Sequence, residues 1–212
     1  MNLTALDRQI LWTLTRKVRV LTAQQVAETW FADLSQPTRA AVKRLRQLQD
    51  FGLLNEHAVM LHPMIHLDAP VLNWMPGNEE PNFGALSYRL KERWPSPLVT
   101  KSIFHATRDA NRLLGGYIGG RQPRTSETTH DVHLAQVYLR FLRQEPRTAK
   151  RWVSEHQLYA EGGGRNERLP DAIIRHPRNR DLDLVVEFGG KYPKMKLIEF
   201  HDALRHLRYQ IW

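Results

Sequence analysis

Apolar residues near the start of the chain recur at helical spacing. Leu6, Ile10, Leu14 and Val18 fall every fourth position, behind a Thr4-x-x-Asp7 pair that has the form of a capping box. The pattern predicts a helix over residues 4 to about 16. Thr22-x-x-Gln25 is a second capping box, with Leu21 and Val26 placed as a hydrophobic staple, and predicts a short helix to about residue 31. Asp33-Leu34-Ser35 is a turn in which Ser35 can cap a third helix, with Pro37 tolerated in its first turn, running to about residue 50. Ala41, Val42, Leu45 and Leu48 form its apolar side, while Arg39, Lys43 and Arg46 at i, i+4 and i+7 share another face. Gly52 closes this helix, and residues 58–61 and 64–67 read as two short strands. Three helices and a β-hairpin make a winged helix-turn-helix over residues 1–68. In such an architecture the third helix enters the major groove of duplex DNA, which sets Arg39, Lys43 and Arg46 against phosphates or base edges, with Gln36 and Thr38 at the helix start.

Residues 69–127 are rich in prolines and turn formers and read as a linker or intermediate segment anchored by Trp74 and Trp94. Within them, residues 84–94 predict a short helix, 98–106 a strand and 108–114 another helix. No GxGxxG, Walker loop or internal repeat occurs.

From residue 128 the pattern changes again. Thr128-x-x-Asp131 has the form of a cap for a helix in which Val132, Ala135, Leu139 and Leu142 line one face and Leu134, Val137 and Phe141 the rest, a distribution that implies deep burial. His130 and His133 share that helix, but no third ligand follows at helical spacing, so they read as structural histidines. Residues 151–159 read as a strand and 161–168 as an exposed glycine-rich loop. Two β-branched runs, residues 171–174 and 183–188, flank turn chemistry at residues 176–181 and predict a hairpin. With its turn near residue 179, Asp171 lies opposite Glu187 on one face. Like charges so opposed need something positive between them, a divalent metal ion or a lysine. A helix from about residue 194 carries Leu197, Phe200, Leu204 and Leu207, and residues 209–212 form a last strand. The order over residues 128–212 is α-β-β-β-α-β, so the chain is of the mixed α/β class.

Charge adds a partner to this picture. Thirty-one Lys and Arg against 22 Asp and Glu give a formal +9, which favours a polyanion through counterion release. The absence of cysteine excludes disulfides and thiolate zinc sites and fits a reducing cytoplasm. No run approaches the roughly 20 apolar residues of a membrane span, and the first residues lack the basic-then-apolar form of a secretory leader.

Pro170-Asp171 and Glu187 on adjacent strands, within this order of elements, resemble the PD-(D/E)xK nuclease fold. That resemblance implies that Asp171 and Glu187 bind Mg²⁺ and that a lysine helps activate water for phosphodiester hydrolysis. The winged helix, Thr129-His130-Asp131, Trp152-x-x-Glu155, Leu169-Pro170-Asp171-Ala172 and Glu187-Phe188-Gly189-Gly190 together resemble the replication-relaxation family, DNA-associated proteins of plasmids and mobile elements. The nuclease lysine is expected two residues after Glu187, where this chain has Gly189. Lys191 is the candidate replacement, with Lys194 or Lys196 able to reach back, and Glu155 is a weaker third carboxylate. Two functions follow. One is a DNA-binding protein with a nuclease-like half, associated with nucleoid or plasmid and working as a homodimer or beside replication, mobilisation or transposition proteins. The other is a Mg²⁺-dependent DNA endonuclease with Asp171, Glu187 and Lys191 catalytic.

Overall fold

The computed structural model describes residues 2–164, 168–179 and 181–212. The expected glycine-rich loop therefore lies partly outside the described residues, at 165–167, as does residue 180 of the hairpin turn. The chain is of mixed α/β class, and its described residues form two sheets.

Local signals fix the first helices. Helix α1 (Ala5–Arg16) is capped by Thr4, whose Oγ1 accepts from Asp7 N at 3.2 Å while Thr4 N donates to Asp7 Oδ2 at 2.7 Å. Strand β1 (Leu21–Thr22) runs into α2 (Ala23–Trp30), where Thr22 and Gln25 make the same reciprocal pair. Helix α3 (Pro37–Asp50) differs from expectation at its start: Gln36, not Ser35, is the N-cap, and it supplies no side-chain cap. Pro37 at the first helical position has no N–H to satisfy, which lowers the need for one. Gly52 ends α3 with φ +72°, and Leu53 N donates to Leu48 O at 2.9 Å, so the glycine takes the left-handed position that a β-carbon would oppose.

Strands β2 (Leu54–Leu61), β3 (Leu72–Trp74), helix α4 (Phe83–Glu92), β4 (Val99–Ala106) and α5 (Arg108–Leu114) follow. Strand β2 pairs antiparallel with β4 from Leu54↔Ala106 to Leu61↔Val99, and β1 pairs with the other edge of β4. The strand expected at residues 64–67 does not form. Pro63 interrupts the run, and this segment lies instead on the long helix α6 (Thr125–Gln144), where Ile65 N donates to His133 Nε2 (3.3 Å) and Gln136 Nε2 donates to Ile65 O (3.3 Å). Helix α6 begins three residues before the expected Thr128 cap, and Thr128 Oγ1 bonds back to Arg124 O.

The remaining elements are α7 (Pro146–Lys150), β5 (Trp152–Ser154), α8 (Glu155–Ala160), β6 (Ala172–Arg175), β7 (Leu182–Glu187), α9 (Lys194–Leu204) and β8 (Tyr209–Ile211). The strand expected over residues 151–159 is only three residues long, because Ser154 caps α8 by accepting from Gln157 N. The second sheet has the order β3-β8-β7-β6-β5, with β7 and β8 parallel and the other neighbours antiparallel. Strand β3 comes from the segment expected as a linker and closes one edge of this sheet, and α4 packs on α9. Residues 62–98 thus leave the first sheet between β2 and β4, visit the second, and return.

One hydrophobic cluster joins both halves through α6. It contains Ile10, Leu14, Leu45 and Phe104 on one side and Ala135, Trp152, Ala172 and Val186 on the other. Each fully buried Val, Leu, Ile or Phe side chain contributes roughly 1.5–3 kcal/mol. Among the described residues no helix is long and apolar enough to cross a membrane.

Candidate functional site

The hairpin of β6 and β7 has the expected register. Ala172 pairs with Val186 and Ile173 with Val185, so the next step outward sets Asp171 opposite Glu187. The two carboxylates tie each other's strands together: Asp171 N donates to Glu187 Oε2 at 3.3 Å, and Phe188 N donates to Asp171 Oδ2 at 2.7 Å. Two cations other than the expected lysine lie against them. His130 on α6 donates from Nε2 to Asp171 Oδ2 at 3.0 Å, and Arg168 donates from Nη2 to Glu187 Oε1 at 2.8 Å. Tyr192 adds its hydroxyl to Glu187 Oε1 at 2.6 Å and accepts from Arg168 at 3.0 Å.

Proton affinities follow from these contacts. Burial disfavours the His130 imidazolium, but Asp171 and Asp131 outweigh it and raise its pKa from 6.5 to about 10. Glu187 is 1% exposed, and burial, reinforced by the charge of Asp171, pushes its carboxyl up. Partial burial of its carboxyl at the cavity wall and then the charge of Asp171 also raise Glu155, which stands in the first turn of α8, not on a strand. It lines a cavity of about 220 Å³ with Asp171, His130 and Asp131. His133 is a structural bridge: Nε2 accepts from Ile65 N, so Nδ1 carries the proton and donates to Thr129 O at 2.6 Å. Burial lowers its pKa to about 4, consistent with that neutral form.

The lysines are arranged differently from expectation. Lys191 is exposed, with Nζ 3.4 Å from His62 Nε2. Lys194 is exposed, while Lys196 lies 3.4 Å above the Tyr192 ring and is the lysine held closest to the Glu187 network by a described contact. The position two residues after Glu187 has no room for a lysine. A β-carbon on Gly189 would meet Ile211 Cγ2 at 2.7 Å and the two Leu90 methyls at 3.0 and 3.1 Å. Strand β8 and helix α4 fill the place that the nuclease signature gives to its lysine. Gly189→Lys should therefore lower stability by about 1–3 kcal/mol through overpacking, read as a shifted urea midpoint, and should leave DNA uncut in a plasmid-nicking assay.

The residues do not fit a magnesium site. Both oxygens of Glu187 and Oδ2 of Asp171 already accept hydrogen bonds, and among the described residues no three His, Asp or Glu side chains form a metal-binding group. Magnesium demands about six oxygens in near-octahedral geometry, and bringing it here would require displacing Arg168, Tyr192 or His130.

A second cluster lies on α3. Gln36, Thr38, Arg39, Lys43 and Arg46 are all exposed. Arg39 donates to Gln36 Oε1 at 3.2 Å, and among the described residues Arg39, Lys43 and Arg46 make no ion pair. Arg44 is different: it is bound to the fully buried Asp7, and although burial would raise Asp7, its bonds to Arg44 and Thr4 hold the carboxyl low. The helix thus spends one arginine on structure and presents three cations outward. Thr38 falls about 110° from the centre of that stripe by the 3.6-residue turn, and it borders a separate cleft of about 590 Å³ with Gln24 and Lys101.

Sequence reasoning missed Arg168 and Tyr192 altogether and placed His130 without its partner. Arg168 and Tyr192 sit in connecting segments, where no periodicity marks a side chain as turned inward. No family model, curated protein or solved structure matches the chain.

Proposed function

We propose that this protein binds duplex DNA through α3 and carries, in its second half, a nuclease-like core that does not cleave. The observation that carries the reading is the stripe of Arg39, Lys43 and Arg46, exposed and free of ion pairs among the described residues. It lies on the third of three helices, ahead of the β2–β4 hairpin, in the order of a winged helix whose connection between strands is enlarged by residues 62–98. Gln36 at the start of α3 is placed for base edges, with Thr38 nearby, and the three cations for phosphates. The formal +9 supplies the long-range attraction.

The likeness of the second half to the PD-(D/E)xK order is supported by the antiparallel run β5, β6, β7, the following α9 and the parallel β8, although the short α8 stands between β5 and β6. This supports a likeness to the replication-relaxation proteins and, with the α3 stripe, a place beside DNA. The engagement of Asp171 and Glu187 by His130, Arg168 and Tyr192 favours a load-carrying role for the pair over phosphodiester chemistry. Incubation with supercoiled plasmid and Mg²⁺ or Mn²⁺ tests this half of the proposal. Wild type should nick no more than the Asp171→Ala, Glu187→Ala double variant. Metal-dependent nicking lost in that variant would reinstate the endonuclease reading, with Lys191 or Lys196 as its cation.

A further inference from the structure

The outer side of α1 bears a cleft that duplex binding through α3 does not use. It encloses about 540 Å³ between α1, the end of α2, α6 and the end of α7, and its walls include Arg8, Trp12, Lys17, Trp30, Tyr138 and Lys150. Clefts of roughly 300–1,000 Å³ accommodate single small molecules. Its charge is one-sided: the ionisable side chains that line it are cations and the phenol of Tyr138, with no Asp or Glu. Lys17 is buried and its Nζ donates to the carbonyls of Trp152 and Lys150, so it is fixed in place. Arg8 and Lys150 are exposed and, among the described residues, have no ion pair.

The aromatic groups are equally specific. Trp12 is 44% exposed, with the Arg16 guanidinium 4.1 Å from its ring centroid on one side. The Trp30 indole N–H donates to Gln9 Oε1 at 3.1 Å, which pins that ring at the cleft edge. A flat indole backed by a guanidinium, beside cations without acids, matches a ligand that combines an aromatic ring with an anionic group. A neutral apolar ligand would leave the cations unused, and an acidic aliphatic peptide would leave the indole face unused.

We propose that this cleft binds a nucleoside monophosphate, its base against Trp12 and its phosphate on Arg8 and Lys150. The ligand bridges α1 and α2 to α6 and α7, the junction between the two halves of the chain. The site is independent of the duplex-binding reading, because none of its residues lies on α3.

Isothermal titration of the full chain with AMP, adenosine and ribose 5-phosphate tests the assignment. AMP should bind, and adenosine and ribose 5-phosphate should each bind at least about tenfold more weakly, since each lacks one half of the recognition. Trp12→Ala, and separately the Arg8→Glu, Lys150→Glu pair, should each weaken AMP by about tenfold or more. Arg8 and Lys150 are exposed, so the thermal midpoint of their pair variant without ligand should hold, and affinity for duplex DNA should not follow the Trp12 change. No AMP binding at millimolar concentration would overturn the proposal, as would adenosine binding as tightly as AMP, or AMP affinity unchanged in both variants. Binding of a single-stranded oligonucleotide without AMP binding would also overturn it, in favour of a strand as the occupant.

Discussion

Replacing His130 by alanine should destabilise the protein by about 2–3 kcal/mol near pH 6, and the loss should fade as the pH rises toward 10. The variant leaves Asp171, whose side chain is only 14% exposed, facing Glu187 without its cation. Breaking a fully buried ion pair costs roughly 3–5 kcal/mol. The smaller figure applies because His130 is 32% exposed and water screens the pair. The folded-state pKa of His130 lies above its ordinary 6.5, at about 10, so its contribution is complete below pH 6.5 and is lost as the pH rises through 10. Urea midpoints of wild type and variant at pH 6, 8 and 10 check this: the gap should be widest at pH 6 and nearly closed at pH 10. His130→Gln, which keeps a donor but not the charge, should recover part of the loss.

The legible parts of the fold are those set by near neighbours in sequence. The pairs Thr4–Asp7 and Thr22–Gln25 cap their helices across three residues, and such bonds need nothing from the rest of the chain. The opposition of Asp171 and Glu187 was equally readable, because Ala172, Ile173 and Ile174 pair with Val186, Val185 and Leu184 in the expected register, and the one shift, between Ile174 and Arg175, lies nearer the turn. The partner of β2 was not. Residues 64–67 have the same apolar composition as a strand, but they follow Pro63 and take their hydrogen bonds from His133 and Gln136 on α6, far along the chain. Strand β4 takes the expected place, and no local signal specifies a pairing across residues 62–98.

The candidate site divides along the same line. Its carboxylates were readable as a pair, while the groups that neutralise them come from α6 and from two connecting segments. The sequence reading expected a metal ion or a lysine between the carboxylates, and the fold supplies a histidine and an arginine. Gly189 shows how distant packing decides local chemistry. Its lack of a side chain looks like a lost lysine in the sequence, whereas in the structure Leu90 of α4 and Ile211 of β8 leave no space for any side chain there. Residues 69–127 were the least legible, and they supply the helix that closes this position.

Reversing Arg39, Lys43 and Arg46 to glutamate should reduce duplex affinity about 100-fold or more near 0.1 M salt, with little change in stability. These side chains are exposed and, among the described residues, make no ion pair, so their loss removes no described contact but the Arg39–Gln36 bond. Each phosphate contact contributes about 0.9 to the dependence of log affinity on log salt, so three lost contacts should flatten that dependence by about 2.7. Reversing Arg89, Arg112 and Arg147, exposed on α4, α5 and α7, makes the control with the same change of net charge. It should weaken binding far less and leave the slope nearly as steep. The most direct test of duplex binding through α3 is therefore the slope of duplex affinity against salt, measured for wild type and the triple variant over 50 to 200 mM salt. A slope flatter by about 2.7 in the variant is the expected result, and an unchanged slope and affinity would contradict α3 as the DNA-binding element.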